Sequence, residues 1–231
     1  MKHLTLIIAI LISSTCFAQT TAIPDANFEQ ALIDLGYDSA IDGVVLTSTI
    51  DTITDLYIPD SNIGDLTGIG AFTAVEHLSI GINQLTTLDL SQNTALTFLF
   101  CANNQLTSIN VTQSPDLETI NCSSNQLIIL DVSQNPALDF LSCYGNQLSA
   151  LDVSQNTVLY DLNANDNQLT SLDVSQNASL GILDCNHNNL TNLNLTGAAS
   201  LFSLDCSNNQ LTSIDPSQNS FLLALWCYYN Q

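Results

Sequence analysis

A 21-residue repeat is the feature of this sequence that most restricts its possible folds. Apolar residues mark its phase at Val75, Leu96, Leu117, Leu138, Leu159, Leu180, Leu201 and Leu222. Such self-similarity is the signature of a solenoid, in which each repeat forms one rung that buries its apolar side only against its neighbours. We therefore expect an elongated coil with a continuous core.

Within a rung the pattern is L-x-x-L-x-C-x-x-N-Q-L, as from Leu96 to Leu106. The fourth and sixth places are apolar and the third and fifth vary, which predicts a short strand with alternate side chains buried. Strands of successive rungs would pair in parallel, about 4.8 Å apart. A looser 22-residue rung comes first and carries Ser61 at the asparagine place. Nine rungs begin, and we expect truncation because the ninth stops at Gln231, where a leucine is due.

Two polar columns are predicted to be structural. The asparagine column, expected to satisfy buried backbone groups where the chain leaves each strand, comprises Asn83, Asn104, Asn125, Asn146, Asn167, Asn188, Asn209 and Asn230. The aspartate column, expected to cap the following Ser-Gln-Asn turn, comprises Asp89, Asp131, Asp152, Asp173 and Asp215, with Asn110 and Asn194. A ladder of metal ions is the alternative for the second column.

The first 52 residues divide into two predicted segments. In residues 1–18, Lys2 precedes an apolar run that is shorter than the roughly 20 residues of a membrane span, which predicts a signal peptide cleaved after Ala18. A lipoprotein acylated at Cys16 is the alternative. Residues 19–52 are predicted to form an N-terminal cap with a helix near 24–36, between Pro24 and Gly36. Residues 53–231 then form the solenoid.

The charge balance restricts the partners. The sequence has 22 acidic residues and one basic residue, Lys2, so the mature chain would have neither lysine nor arginine. Without cations there is no counter-ion release on phosphates, which excludes nucleic acid and anionic membranes as favoured partners. Cationic partners and divalent metals fit better. After residue 18 no segment is apolar enough to form a transmembrane helix.

The rungs resemble those of secreted bacterial leucine-rich-repeat proteins. The looser rung, with Ile63-x-x-Leu66-Thr67-Gly68-Ile69, is internalin-like. The strict rung, seen at 204–219, and the opening Ile23-Pro24-Asp25-x-x-Phe28-Glu29 look like those of exported Bacteroidetes proteins. The resemblance implies a right-handed leucine-rich-repeat coil with a parallel β-sheet on its concave face, a helix-poor convex side and a helical N-terminal cap. It also implies a secreted or cell-surface protein that binds a ligand on the concave face, often with a C-terminal sorting domain, which this sequence lacks.

The cysteines and histidines favour no catalytic site. Six cysteines share one inward place: Cys101, Cys122, Cys143, Cys185, Cys206 and Cys227. Neighbouring rungs hold them farther apart than the roughly 3.8 Å between the Cβ atoms of a disulfide, which favours free buried thiols. His77 and His187 lie five rungs, or about 24 Å, apart and cannot share a site. With no nucleophile, phosphate-loop or metalloprotease motif, we predict that the chain is not an enzyme.

The third, fifth, seventh and eighth places of each rung point outward and escape the core pattern. Ligand binding on the concave face is predicted for Phe98, Phe100, Phe140, Tyr144, Asp161, Asn163, Asp184, Asp205, Trp226 and Tyr228. Exposed aromatic rings beside acidic and amide groups suit a protein or a glycan, and drift on a solvent-facing surface is the alternative.

Calcium is the one candidate cofactor. Weak candidates for its ligands are Asp161, Asp166, Asp184 and Asp205, and a second weak candidate is the loop 38–43. Asp184 and Asp205 should lie about 5 Å apart, as in a retaining glycosidase, but a shallow sheet offers no cleft for catalysis.

The favoured function is an extracellular binding or adhesion module for a protein or glycan, which could be cationic. The alternatives are a surface spacer, stiffened by calcium or without a specific ligand, and, remotely, a non-catalytic part of a larger secreted enzyme.

Overall fold

The computed structural model describes residues 18–231. The predicted signal peptide, with Cys16, therefore lies outside the described residues except for Ala18. The described part has no helix that is long and apolar enough to cross a membrane.

The N-terminal segment forms a small helix-containing unit on the first rungs. Strand β1 (Thr20–Ala22) pairs antiparallel with β2 (Val44–Leu46), helix α1 (Ala26–Asp34) lies between them in the chain, and α2 (Thr47–Ile50) follows. Asp25 caps α1, because its Oδ1 accepts bonds from two backbone N–H groups of the first turn. Phe28 is fully buried, and its ring stacks on Phe72 with centroids 6.1 Å apart. These contacts cover the apolar end of the solenoid.

Nine parallel strands, one from each rung, form the main sheet, as the repeat predicts. They are β3 (Asp55–Tyr57), β4 (His77–Ser79), β5 (Phe98–Phe100), β6 (Thr119–Asn121), β7 (Phe140–Ser142), β8 (Asp161–Asn163), β10 (Ile182–Asp184), β12 (Ser203–Asp205) and β13 (Ala224–Trp226). The second halves of two rungs form a separate parallel pair, β9 (Ser171–Asp173) and β11 (Asn192–Asn194). Elsewhere in the second halves the chain runs through turns, apart from a 3-10 helix at Ile69–Ala71. The fold is a helix-poor leucine-rich-repeat coil, as predicted.

Two asparagine columns hold the rungs together. In the predicted column, the amide of Asn104 donates to the carbonyls of Ile80 and Cys101, and its Oδ1 accepts from the backbone of Leu85. A second column, in the turns, was not predicted: Asn93, Asn135, Asn156, Asn177 and Asn219. The amide of Asn156, for example, donates to the carbonyls of Val132 and Asn135 in the preceding rung. The first column thus has the structural role that its position predicts.

The aspartate column caps turns, as predicted. The Oδ1 atom of Asp131 accepts a 2.9 Å hydrogen bond from the backbone N–H of Ser133, and the same bond recurs at the other rungs of the column. The backbone and side-chain hydrogen bonds from Ser133 lower the pKa of Asp131.

All six cysteines of the inward column are free thiols. Five are buried as predicted, but the expectation of burial is wrong for Cys227, which is exposed immediately after the outermost strand, β13. Burial raises the pKa of Cys101 and Cys143 to about 12. Among the described residues, we therefore expect iodoacetamide to label only Cys227 in the native protein, and all six in urea, by peptide mass spectrometry. Native labelling of Cys143 would contradict this packing.

Candidate functional site on the concave sheet

The outward residues of the main sheet stack in register. In one row, Phe98 lies between His77 and Thr119, and in the next, Phe100 lies between Ser79 and Asn121. Because parallel strands are about 4.8 Å apart, each large ring covers space above its neighbours where they are small. The two phenylalanines, which are both on β5, therefore form an aromatic ridge along that strand.

One cavity of about 510 Å³, here called the first aromatic cavity, lies on the N-terminal side of this ridge. Its walls include Tyr57, His77, Ile82 and the two phenylalanines, Phe98 and Phe100. The Phe100 ring occupies the space that a Cβ atom at residue 81 would need, so glycine at that position allows the ring to pack closely against the backbone.

A hydrogen-bonded histidine–aspartate pair lies at the edge of this cavity. His77 Nδ1 is 2.7 Å from Asp55 Oδ1, and the His77 ring meets Phe98 edge-on with centroids 6.2 Å apart. Hydrogen bonds from Thr54 and then from His77 lower the pKa of Asp55. The cavity thus combines apolar walls with one charged edge, which is the composition typical of ligand pockets.

A second aromatic cavity, of about 520 Å³, lies on the other side of the ridge. It shares Phe98 and Phe100 with the first, and its farther wall contains Phe140, Tyr160 and Asp161. The two cavities together cover the sheet from β3 to β8, which is five strand spacings or about 24 Å. They adjoin at Phe98 and Phe100, and the two cavities together are called the groove below.

Ile82, at the first aromatic cavity, has a strained backbone. Its φ is 56°, in the left-handed region, where β-branched side chains are rare. The same place in the neighbouring rungs holds residues that tolerate this conformation better, among them Asn103 and Gly145. The Ile82 side chain is also half exposed, so the fold gains little from burying it. Strain of this kind concentrates at binding sites.

We expect Ile82→Asn to stabilise the chain by about 1 kcal/mol, because it relieves the left-handed strain of a β-branched residue. Urea unfolding followed by circular dichroism measures the change. The reverse replacement at the equivalent place, Asn103→Ile, should destabilise by a similar amount. Equal stability of both variants and the original chain would contradict the strain.

Beyond the cavities, carboxylates and amides form a hydrogen-bonded strip across β8, β10 and β12. The Asn186 amide donates to Asp184 Oδ1 at 2.6 Å and to Asp205 Oδ2 at 3.2 Å. The Asn165 amide donates to Asp184 Oδ2 at 2.9 Å. Asp184 and Asp205 are direct neighbours in register, as predicted, but an amide bridges them on an open sheet. This arrangement offers no water-excluding cleft for acid catalysis.

Burial and like charges act on two of these carboxylates. Burial, and then the charge of Asp184, raise the pKa of Asp161. Burial also raises the pKa of Asp184, with a further contribution from Asp205. A carboxyl group whose pKa is higher in the folded state stabilises the fold at pH values below its unfolded pKa. This stabilisation is lost as the pH rises through the folded pKa. At neutral pH both ionised groups therefore oppose folding.

We expect Asp161→Asn to raise the midpoint of thermal unfolding at neutral pH, and the gain to vanish near pH 3, where the original aspartate is protonated in both states. Asp131→Asn is the matched control. Since hydrogen bonds lower the pKa of Asp131, its carboxylate stabilises above the unfolded pKa, and the replacement should lower the midpoint at neutral pH. Calorimetry at both pH values measures this, and a gain from Asp161→Asn that is independent of pH would contradict the electrostatic cause.

The structure divides the predicted ligand-binding residues into groups. Phe98, Phe100, Phe140 and Asp161 line the second aromatic cavity, whereas Tyr144 follows β7 and lines neither cavity. Strands β8, β10 and β12 carry Asn163, Asp184 and Asp205, and Trp226 and Tyr228 are exposed on and after β13. Trp226 is four strand spacings, or about 19 Å, from Phe140, so the sheet does not bring the two aromatic groups together.

Calcium binding stays a prediction. In residues 18–231 no three or more His, Cys, Asp or Glu side chains are grouped as metal ligands would be. Asp166 is exposed with a left-handed backbone and lies at the rim of the strip.

Sequence reasoning missed Tyr57, His77, Ile82 and Tyr160. Tyr57 is in the same row as Phe100, but it belongs to the looser 22-residue rung, whose phase is harder to read. The distance between His77 and His187 excludes a shared site but does not reveal the partner of His77, which is Asp55 on the adjacent strand. Tyr160 occupies the second place of its rung, which the outward pattern did not include. The row register would have revealed the first two.

Known proteins share this architecture. No family model matches the chain. A 71-residue stretch is 39% identical to internalin J of Listeria monocytogenes serotype 4b, covering 31% of this chain and 8% of that protein. The solved functional domain of InlJ from Listeria monocytogenes is 37% identical with a TM-score of 0.74, covering 92% of this chain and 53% of that one. The chain has the leucine-rich-repeat fold and is similar to these internalins.

The InlJ domain includes a cysteine ladder, which the cysteine column of this chain resembles. Internalin C2 of Listeria monocytogenes, only 20% identical, shares the fold over 93% of this chain and 99% of its own, with a TM-score of 0.76. The chain spans about half of the InlJ structure and a small part of the whole internalin J protein.

Proposed function

We propose that this chain is an extracellular binding module that recognises a protein partner through the two aromatic cavities. The observation that carries the proposal is the pair of adjoining aromatic cavities that share Phe98 and Phe100 as a wall. Solenoids bind partners on extended concave surfaces, and buried aromatic side chains supply much of the energy at protein interfaces. A predicted signal peptide agrees with an extracellular role.

A protein partner fits better than a glycan. A sugar needs free polar groups to fix its orientation, but the amides of Asn165 and Asn186 are already bonded to Asp184 and Asp205. The cavities themselves offer mainly apolar walls. Apolar side chains of a protein would fill such walls and displace water from them.

Selection of random-sequence peptides displayed on phage, with the full chain as bait, tests the proposal. Affinities of the selected peptides would then be compared on the double variant Phe98→Thr/Phe100→Ser. Both replacements copy residues that the same rows already carry, Thr119 and Ser79, so the sheet should keep its structure. We expect binding to weaken by about tenfold or more.

The matched control is Ile128→Thr/Ile129→Ser, which removes two exposed apolar side chains from the second half of a rung. These replacements also copy the preceding rung, Thr107 and Ser108. The control should bind the selected peptides like the original chain. Peptides that bind all three proteins equally, or a glycan array that gives ligands when peptides give none, would contradict the proposal.

A further inference from the structure

Acidic residues surround the two aromatic cavities, and no lysine or arginine of residues 18–231 balances them. Asp55 lies at the edge of the first cavity, and Asp139 and Asp161 line the second. Glu76 and Glu118 are exposed immediately before β4 and β6. Residues 18–231 contain neither lysine nor arginine. A lysine or arginine that neutralises this surface therefore has to come from a partner.

The strip beyond the cavities adds to the same field. Asp184 and Asp205 lie two and three rungs past Phe140, which is in the farther wall of the second cavity, and the charge of Asp184 acts on Asp161. A cation near Asp161 would offset a repulsion that the free chain cannot relieve. Electrostatic complementarity of this kind speeds association and selects partners by charge.

The rung spacing fixes the distance between two anchors. The first cavity is built from β3, β4 and β5 and centres on β4, whereas the second is built from β5 to β8 and centres between β6 and β7. The centres are thus two and a half strand spacings, or about 12 Å, apart. Residues four apart in an extended chain are separated by about 13 Å and point to the same side, and residues seven apart in a helix by about 10.5 Å.

We propose that the partner presents a basic segment with two apolar side chains about 12 Å apart, one for each aromatic cavity. The inference rests on the proposed function and adds to it the charge of the partner and the spacing of its anchors. The Phe98 and Phe100 ridge separates the two anchors, and the surrounding carboxylates receive the partner's lysines or arginines.

Synthetic peptides of one composition test the spacing. The extended probe is Lys-Ser-Phe-Lys-Ser-Lys-Phe-Ser-Lys, amidated and labelled with a fluorophore. Its control has the same residues with the two phenylalanines two positions apart, and a second control has glutamate in place of every lysine. A helical, lysine-rich probe with phenylalanines seven positions apart tests a partner with a helical backbone. It has the same two kinds of control, one short-spaced and one acidic. Fluorescence anisotropy with the full chain gives the affinities.

We expect at least one of the two basic probes to bind about tenfold more tightly than its short-spaced or acidic control, because each lost anchor or reversed charge removes a contact at the groove. Phe98→Thr/Phe100→Ser should weaken that probe by about tenfold. Asp139→Asn/Asp161→Asn should weaken it several-fold and reduce its dependence on salt. Asp131→Asn/Asp152→Asn, which removes two turn-capping carboxylates away from the groove, is the charge-matched control and should leave binding unchanged.

Two outcomes would overturn the inference: neither basic probe binds more tightly than its controls, or binding is indifferent to both groove variants. The phage-selected peptides separate this failure from that of the proposed function. Selected peptides that need Phe98 and Phe100 but are neutral, acidic or single-anchored would leave the binding module in place and remove the basic, two-anchor partner. Selected peptides that ignore the ridge would remove both.

Discussion

Asn146→Ala is expected to lower the free energy of unfolding by about 3 to 5 kcal/mol, because it leaves several buried backbone groups without partners at about 1 to 3 kcal/mol each. The Asn146 amide donates to the carbonyls of Cys122, Cys143 and Tyr144 at 3.0 to 3.3 Å. Its Oδ1 accepts from the backbone N–H of Leu127 at 2.9 Å. One side chain thus joins two rungs in the middle of the solenoid.

Urea unfolding followed by far-ultraviolet circular dichroism measures this loss. The control is Gln147→Ala, at the next position along the chain, where the side chain is exposed. It should change the stability by no more than about 0.5 kcal/mol. Equal stability of the two variants would show that water replaces the asparagine amide, and the structural interpretation of this column would then be wrong.

Glu29→Ala is expected to cost about 3 kcal/mol or more, since hydrogen bonds to a buried charged group are each worth about 1.5 to 3 kcal/mol. Glu29 is fully buried. Its Oε1 accepts from three consecutive backbone N–H groups, those of Asp42, Gly43 and Val44, at 2.7 to 3.1 Å. This carboxylate ties helix α1 to the turn before β2, so its loss should unfold the cap.

The position of Trp226 allows unfolding of the cap to be distinguished from unfolding of the solenoid. This tryptophan lies on β13, at the end of the sheet opposite the cap. If the cap frays first, circular dichroism should report unfolding at lower urea than Trp226 fluorescence does. Glu118→Ala, at an exposed glutamate, is the control and should unfold like the original chain. Glu29→Ala with unchanged stability would contradict the role of this carboxylate.

Much of the fold followed from the sequence because a repeat makes each place visible many times. The buried leucines, the asparagine column and the turn-capping aspartates each recur every 21 residues, so their roles could be assigned before any coordinates. The rungs lie in register, which let the pairing of Asp184 with Asp205 be predicted from spacing alone. Trp226, in contrast, satisfied the outward pattern yet lies far from the groove, since the pattern identifies the residues that face outward but not which of them share a cavity.

The sequence by itself determined the coil and its leucine, aspartate and first asparagine columns, because local periodicity and stacking are enough to specify them. It also determined that lysine and arginine are absent after Lys2. Only the tertiary structure decided where a ligand could bind. The groove depends on which outward side chains become neighbours across strands, as Asp55 does with His77, and on how far a ring such as Phe100 extends over the glycine beside it. Such cavities arise from the shapes of particular side chains in adjacent rungs, which a repeat pattern averages away.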